Sequence, residues 1–380
     1  MLLEKMKESK IALYLGNFNL ANGYASIARI YNVSVLLNKY GFKTFAPCFF
    51  ADKPTFENEF GYNSPLALID RPIESKTKLY LDYKYYISII KMYNPKVVFL
   101  YDFPSIPAFQ IVKYCSKKNI KVIHDCTEWY DSKCVKGILR KIVKKMDVFF
   151  RMRIINKKGS GIICVSEYLK KHYSRLNCIK IPPLMSHLNL TFNECKLPTN
   201  EDINIFYAGN TNNSKDDIIS FIDFLAKEKP SKICFHLFGN NDFLIKKYGN
   251  SFLLENHIIN HGNICHKELI YLIKNYDCQI IIRKNTRANK AGFPSKFAEC
   301  TMLNIPCLVT NVGDVSRLVI DEFNGFVTDY RKPDFSNFIS KIKSSSISSL
   351  KINVSKEKKM FLPDSYFDEF GVFLKKAGVI

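Results

Sequence analysis

At 380 residues the chain exceeds what one hydrophobic core ordinarily supports, and 47% hydrophobic with 24% charged residues make it globular rather than disordered, so two domains are expected. No apolar run approaches the roughly 20 residues of a membrane-spanning helix, and the opening MLLEKMKESK lacks the apolar core of an export signal. The formal charge of +21 leaves nucleic acid, anionic membrane and phosphorylated substrates open as partners, but lysine is abundant throughout, so its concentration matters more than its sum.

Short apolar runs alternate with helical patterns from the start. Ile11–Leu15 reads as a strand, Tyr24–Tyr40 as a helix and Phe42–Phe45 as a second strand. Val97–Tyr101 and Lys121–His124 are strands bracketing a helix over Ile106–Lys118, and Gly161–Val165 and Cys178–Ile181 follow. Runs apolar at every position, interleaved with helices, indicate a parallel sheet covered on both faces. The prolines of Pro182–Asn200 break the rhythm and mark a linker. Alternation then restarts: strand Ile203–Tyr207, helix Asp216–Lys227, strand Lys232–Phe238, helix Lys267–Asn275, strand Gln279–Ile282, helix Ser295–Leu303 and strand Pro306–Thr310. Asp364–Ala377 closes the chain as an aromatic-rich helix.

The expected class is therefore α/β, with two doubly wound Rossmann-like domains facing across a cleft. Residues 1–185 form the first, 186–200 the linker and 201–363 the second. The competing reading is a single large α/β domain. Twelve cysteines are scattered singly with no Cys-x-x-Cys pair, as reduced, buried thiols of a cytosolic protein would be. His257, His261, Cys265 and His266 lack paired metal-ligand spacing and are set aside as structural.

The stretch KAGFPSKFAEC, Lys290–Cys300, carries the chemistry. Pro294 suits a first helical position because its missing N–H would have no partner there. The amides of Phe293, Ser295 and Lys296 then open the helix after Gly292, an end that favours phosphate, and Lys296 adds a point charge. Glu299, one turn deeper, can accept hydrogen bonds from the two hydroxyls of a pentose. Phosphate and pentose together describe a nucleotide; the plainer alternative is a surface Lys296–Glu299 pair three residues apart.

The run RKNTRANKAGFPSKFAECTMLNIPCLVTNVGDVSRLV resembles the C-terminal-domain signature of GT-B glycosyltransferases, family 4 in particular. The resemblance implies that Glu299 contacts the ribose of a nucleotide sugar and that 364–380 cross back to complete the first domain. The family's companion glutamate, eight residues earlier, is replaced by Ala291. YAGNTNNSK, Tyr207–Lys215, matches a second motif: Gly209 ends a strand and Lys215 is implied to bind the pyrophosphate, with Asn210 where the family carries Arg. Arg283 or Arg287 is a candidate to supply that charge. GNFNLANGYASIAR, Gly16–Arg29, resembles the glycine loop that closes over donor and acceptor, which implicates Gly23. In VIHDCTEWY the resemblance makes His124 the contact to the transferred sugar, against a merely hydrogen-bonded strand-end histidine, with Asp125 and Glu128 as neighbouring carboxylates.

The implied activity is transfer of a sugar, with retention, from a nucleotide-diphosphate sugar to a saccharide or lipid-linked acceptor in surface-polysaccharide or glycoconjugate synthesis. No cofactor is expected: Asp-x-Asp is absent, which leaves lysines and helix dipoles to stabilise the leaving diphosphate. Rival readings are a sugar-nucleotide epimerase on the same frame, a sugar-binding relative without activity, and a nucleic-acid-binding basic protein, which lacks any supporting motif. Lys133–Lys158 sets ten basic residues against Asp147 alone, interleaved with large apolar ones. That is the pattern of a helix on an anionic membrane surface, or of a packed helix with a solvated outer face. The resemblance, whose members use acceptors carried on lipids of the cytoplasmic leaflet, implies a protein of the cytoplasm or of the inner face of the membrane.

Overall fold

A computed structural model describes residues 10–16, 18–19, 24–49, 56–57, 60–61, 64–71, 83–130, 137–188, 202–211 and 215–380. Gly23 and most of the proposed linker, 189–200, lie outside them. The chain divides into two compact units, residues 1–187 with 362–380 and residues 188–361.

The first unit is built on parallel strands β1 (Lys10–Leu15), β2 (Phe18–Asn19), β3 (Phe42–Phe49), β4 (Leu66–Arg71), β5 (Val97–Tyr101), β6 (Lys121–Cys126), β7 (Gly161–Cys164) and β8 (Cys178–Lys180). Their spatial order is β4-β3-β1-β5-β6-β7-β8, with β2 also on β3. The helices are α1 (Tyr24–Asn38), α2 (Tyr83–Tyr93), α3 (Ser105–Lys117), α4 (Ile138–Phe150) and α5 (Glu167–His172). Two-sided burial explains the unbroken apolar runs. In β1, Ala12 and Tyr14 enter one core with Ile27 and Ile30 of α1, while Leu13 and Leu15 enter the opposite core with Ile89 of α2 and Ile111 of α3.

The second unit has strands β9 (Ile203–Ala208), β10 (Ile233–Phe238), β11 (Ile258–Gly262), β12 (Cys278–Ile281), β13 (Cys307–Thr310) and β14 (Gly325–Thr328), all parallel in the order β11-β10-β9-β12-β13-β14. Its helices are α6 (Ile218–Glu228), α7 (Asp242–Tyr248), α8 (Asn250–Glu255), α9 (His266–Ile273), α10 (Arg287–Ala291), α11 (Ser295–Met302), α12 (Phe335–Ser344) and α13 (Ile347–Ser355). Phe221 and Leu225 of α6 pack with Phe338 of α12 over Ile205 and Tyr207.

The last helix, α14 (Phe367–Lys376), returns to the first unit. Phe370, Phe373 and Leu374 enter its core beside Ile27 and Ile163. Tyr40 stacks on Phe367 at 4.8 Å and donates to its carbonyl oxygen, and Asn177 Nδ2 donates to the Phe373 carbonyl at 3.2 Å. Both units are doubly wound and Rossmann-like, the domain content of the GT-B fold.

Several boundaries differ from the sequence expectation. β3 runs four residues past Phe45 because it pairs with β4, a strand the sequence reading missed along with α2, β14, α12 and α13. β6 continues beyond His124 because Asp125 and Cys126 pair with Ile163 and Cys164.

Candidate nucleotide-sugar site

In each sheet the chain reverses its winding direction between two neighbouring strands, β1 and β5 in the first, β9 and β12 in the second. Ligands of open α/β sheets bind beyond the carboxyl ends of the strands at such a point. In the second unit that place is occupied by Gly209 after β9 and Arg283 after β12.

Gly239, which follows β10, has φ +110°, and a Cβ there would overlap the Gly209 carbonyl oxygen. A Cβ on Gly209 would fall 3.0 Å from both Lys296 Nζ and Tyr207 OH. These two glycines leave room for a compact charged cluster. Lys296 Nζ lies 2.7 Å from Asp216 Oδ2, Arg283 Nε 3.1 Å from Asp216 Oδ1, and Tyr207 OH donates to Asp216 Oδ2 at 3.1 Å. Lys296 Nζ also sits 4.1 Å from the Tyr207 ring centroid, a cation–π contact. Burial pushes the Asp216 carboxyl up, but Lys296 and Arg283 outweigh it and hold it at about 2. Two cations on one carboxylate leave a net positive charge at the strand ends, next to free helix amides.

Those amides belong to α11. Pro294 is not its first helical residue: it caps the helix in an extended conformation, φ −71° and ψ 113°, and its carbonyl accepts from Phe297 N at 3.1 Å as the helix opens. The carbonyl of Pro294, rather than its ring, starts the helix. Ser295 and Lys296 then supply the first amides, while Phe293 turns into an aromatic cluster with Phe297 and Phe361 at 6.2 and 6.0 Å. Gly292 ends α10, a short helix capped by Thr286. Asn289 of α10 ties the region together, donating to the Lys215 carbonyl at 3.0 Å and the Lys284 carbonyl at 2.9 Å. Ala291, where the resembled family carries glutamate, is fully buried.

Glu299 is 9% exposed. The surface-pair alternative fails, because Lys296 turns to Asp216 and both Lys296 and Glu299 are largely enclosed. Burial raises the Glu299 carboxyl to about 7, partly offset by Lys296. His266 Nε2, at the start of α9, lies 4.0 Å from Glu299 Oε1. Thus Gly209, Lys215, Arg283, Gly292, Ser295, Lys296 and Glu299 share one end of one sheet. Asn210 lies there too, exposed and uncharged, and Arg283 joins Lys296 as a second cation on the cluster's carboxylate.

The first unit arranges its candidates differently. Asp125 is 1% exposed and held by Arg29 through two bonds, Nε–Oδ2 at 3.1 Å and Nη2–Oδ1 at 2.9 Å, and by the Tyr14 hydroxyl. Arg29 also donates to the carbonyls of Ile181 and Pro182 at 2.7 and 2.8 Å, so one buried ion pair joins β6, α1 and the segment after β8. His124 lies mid-strand and 3% exposed, with its ring edge against Gly159 at the other end of the strands. Burial, then Arg151, lowers it to about 3, so it is neutral at physiological pH.

The residues at the strand ends themselves are Asp102, after β5, and Thr127, after β6. The Thr127 hydroxyl donates to Asp102, and Arg151 Nη1 reaches the Asp102 carbonyl at 3.0 Å and its carboxylate at 3.5 Å. Burial raises the Asp102 carboxyl to about 6 against the pull of Arg151. Sequence reading missed this trio, although the acidic residue directly after the run VVFLY was a visible signal.

Among the described residues no group of three His, Cys, Asp or Glu is placed to hold a metal ion. Of the four residues set aside as structural, His261 stacks on Phe238 at 4.3 Å and meets His236 Nδ1 at 3.0 Å. No described helix is long and apolar enough to cross a membrane.

A family model described as Glycosyl transferases group 1 matches residues 194–358, which is most of the second unit. No curated protein sequence matches the chain. Among solved structures, Anabaena Alr3699/HepE in complex with UDP and glucose is 12% identical, with a TM-score of 0.68, over 96% of this chain and 99% of that one. Sucrose-phosphate synthase from Thermosynechococcus elongatus is 13% identical with a TM-score of 0.71, over 97% and 99% of the two chains. A glycosyltransferase from Rickettsia africae is 14% identical with a TM-score of 0.68, over 97% and 98%. The likeness extends through both units, and the fold of the whole chain is that of GT-B glycosyltransferases.

Proposed function

We propose that the chain is a family 4-like glycosyltransferase that moves a sugar from a nucleotide-diphosphate sugar to a saccharide or lipid-linked acceptor at the cytoplasmic side of the cell membrane, in surface-polysaccharide or glycoconjugate synthesis. One observation carries the reading: Lys296 and Arg283 converge on Asp216 at the winding reversal of the second sheet, beneath the opening amides of α11. That is a place for a diphosphate. Lys215, which directly precedes Asp216, adds a further cation from the same loop. Glu299, one turn into α11, is the pentose acceptor group. The Anabaena structures with UDP and with UDP-glucose support a nucleotide-sugar donor for this fold.

In the proposed reaction the bond between the anomeric carbon and the diphosphate oxygen breaks, and its electron pair leaves with the diphosphate. The acceptor hydroxyl attacks from the same face, and its proton passes to the departing phosphate oxygen, which gives retention. Lys296, Arg283 and the α11 amides stabilise the charge that grows on the diphosphate, the largest single contribution such a site can make. In the first unit we assign Asp125 the role of positioning α1 through Arg29, and we place the sugar and acceptor contacts at the strand ends carrying Asp102 and Thr127 rather than at His124.

Calorimetric titration with UDP-sugars and other nucleotide sugars tests the donor assignment. Binding that Lys296→Ala weakens more than tenfold supports it; no binding to any of them by the folded protein ends it. Product analysis without acceptor separates transfer from epimerisation, since an epimerase turns the donor into an isomeric sugar, whereas a transferase can at most hydrolyse it.

A further inference from the structure

The helix α4 is mounted inside out. At about 100° per residue, Ile138, Leu139, Ile142, Val143, Met146, Phe149 and Phe150 fall within an arc of about 140°. All seven are exposed, from 42% at Phe150 to 80% at Ile138. The side turned to the protein is polar instead. Asp147 accepts from the Ser105 amide at 2.7 Å, Lys144 lies 4.9 Å from the Tyr130 ring centroid, and Arg151, one residue beyond, grips Asp102. Only Val148 of the helix is buried. An ordinary surface helix does the reverse, burying its apolar stripe and wetting its charges.

The apolar face continues beyond the helix. Ile154 follows it at 38% exposure, and Ile106 and Phe109 of α3 are 62% and 39% exposed. Exposed apolar patches beyond a few hundred Å² mark interaction surfaces. Around this one stand exposed cations: Arg140, Lys141 and Lys145 on α4, then Arg153, Lys157 and Lys158 just after it. Arg153 lies 5.1 Å from the Phe149 ring centroid and Lys158 5.7 Å from that of Phe109, so positive charge borders the apolar surface directly.

We propose that α4 and the adjoining end of α3 dock this chain on an anionic lipid bilayer, with the apolar stripe in the acyl boundary and the flanking cations among phosphate headgroups. The charge argues against a second copy of the chain as occupant, because two such faces would bring like charges together. A nucleic acid would be met by apolar side chains rather than by the cations. Docking would present the Asp102 and Thr127 strand ends close to the lipid surface, since Arg151 and Asp147 tie α4 to the loop after β5. This inference does not depend on the donor assigned above.

Co-sedimentation of the full chain with phosphatidylcholine vesicles, with and without phosphatidylglycerol, tests it. The expected result is pelleting with the anionic vesicles, at least tenfold stronger than with neutral ones and weakened by salt. The double variant Leu139→Glu, Phe149→Glu, with circular dichroism and thermal unfolding unchanged, should lose at least tenfold; Lys141→Glu, Lys145→Glu should lose the preference for anionic lipid. Equal pelleting with neutral vesicles, no pelleting, or an unaltered Leu139→Glu, Phe149→Glu variant would overturn the proposal. So would a concentration-dependent dimer that this variant dissolves. The assay contains no nucleotide sugar, so its outcome stands apart from the donor titration.

Discussion

Lys296 and Asp216 are eighty residues apart in the chain and 2.7 Å apart in the second unit. Arg283 completes the pair as a triad in which one carboxylate holds two cations in place. The cations are thereby fixed before any anion arrives, and a diphosphate gains their attraction without the cost of ordering two long side chains. Lys296→Ala is expected to weaken nucleotide-sugar binding more than tenfold in a calorimetric titration, and Lys215→Ala to do the same. Wild-type affinity in both variants would remove the phosphate from this place.

Asp216→Asn should act on stability instead. It leaves Lys296 and Arg283 facing each other with their shared counter-ion gone, a loss on the order of 3 kcal/mol for a buried pair. Denaturant unfolding measures it. The sign with pH follows from a folded-state value of about 2, below the ordinary 3.8. The carboxylate contributes stability above the unfolded value, and that contribution is lost as pH falls through about 2.

Glu299 predicts a pH dependence of binding. Its carboxyl is raised to about 7 by burial, so below that pH it is mostly protonated and accepts poorly from two hydroxyls. Nucleotide-sugar affinity should therefore rise between pH 6 and pH 8 and level off above, with the step absent in Glu299→Gln. A flat wild-type profile over that range would take the pentose away from Glu299.

Gly239→Ala should disrupt the crevice without touching a charged group. The new Cβ meets backbone, the Gly209 carbonyl, and φ +110° is itself strained for a residue with a side chain. A loss of about 2 kcal/mol or more in thermal or denaturant unfolding is expected, with weaker nucleotide-sugar binding in the fraction that remains folded.

Arg29→Met separates architecture from chemistry in the first unit. It leaves Asp125 buried with only Tyr14 and strands the carbonyls of Ile181 and Pro182. Unfolding measurements should show a loss on the order of 3 kcal/mol, while calorimetry should show nucleotide-sugar affinity unchanged in the folded protein, because these residues belong to the other unit.

Much of this was readable in the chain because the signals were local. Runs such as VVFLY and GIICV announced strands buried on both faces, and the sequence placed Gly209 at a strand end and a helix opening at Ser295, both of which the structure has. What stayed hidden depends on tertiary partners. Asp216 is an unremarkable aspartate until Arg283 and Lys296 arrive from distant strands and helices. His124 reads as a strand end in the sequence because nothing local marks its two successors, Asp125 and Cys126, as partners of β7. α2 was missed because its residues are tyrosine- and lysine-rich and become apolar surface only through the packing of Tyr86, Ile89 and Ile90.

The return of α14 to the first unit has a consequence for biosynthesis. Residues 188–361 contain everything their own core needs, whereas the earlier unit waits for Phe370, Phe373 and Leu374. On the ribosome the later-made half can therefore close before the earlier one is finished, against the usual order in which the first domain synthesised folds first. Release at residue 361 should leave a nascent chain whose front half is open to proteases and whose back half is already closed.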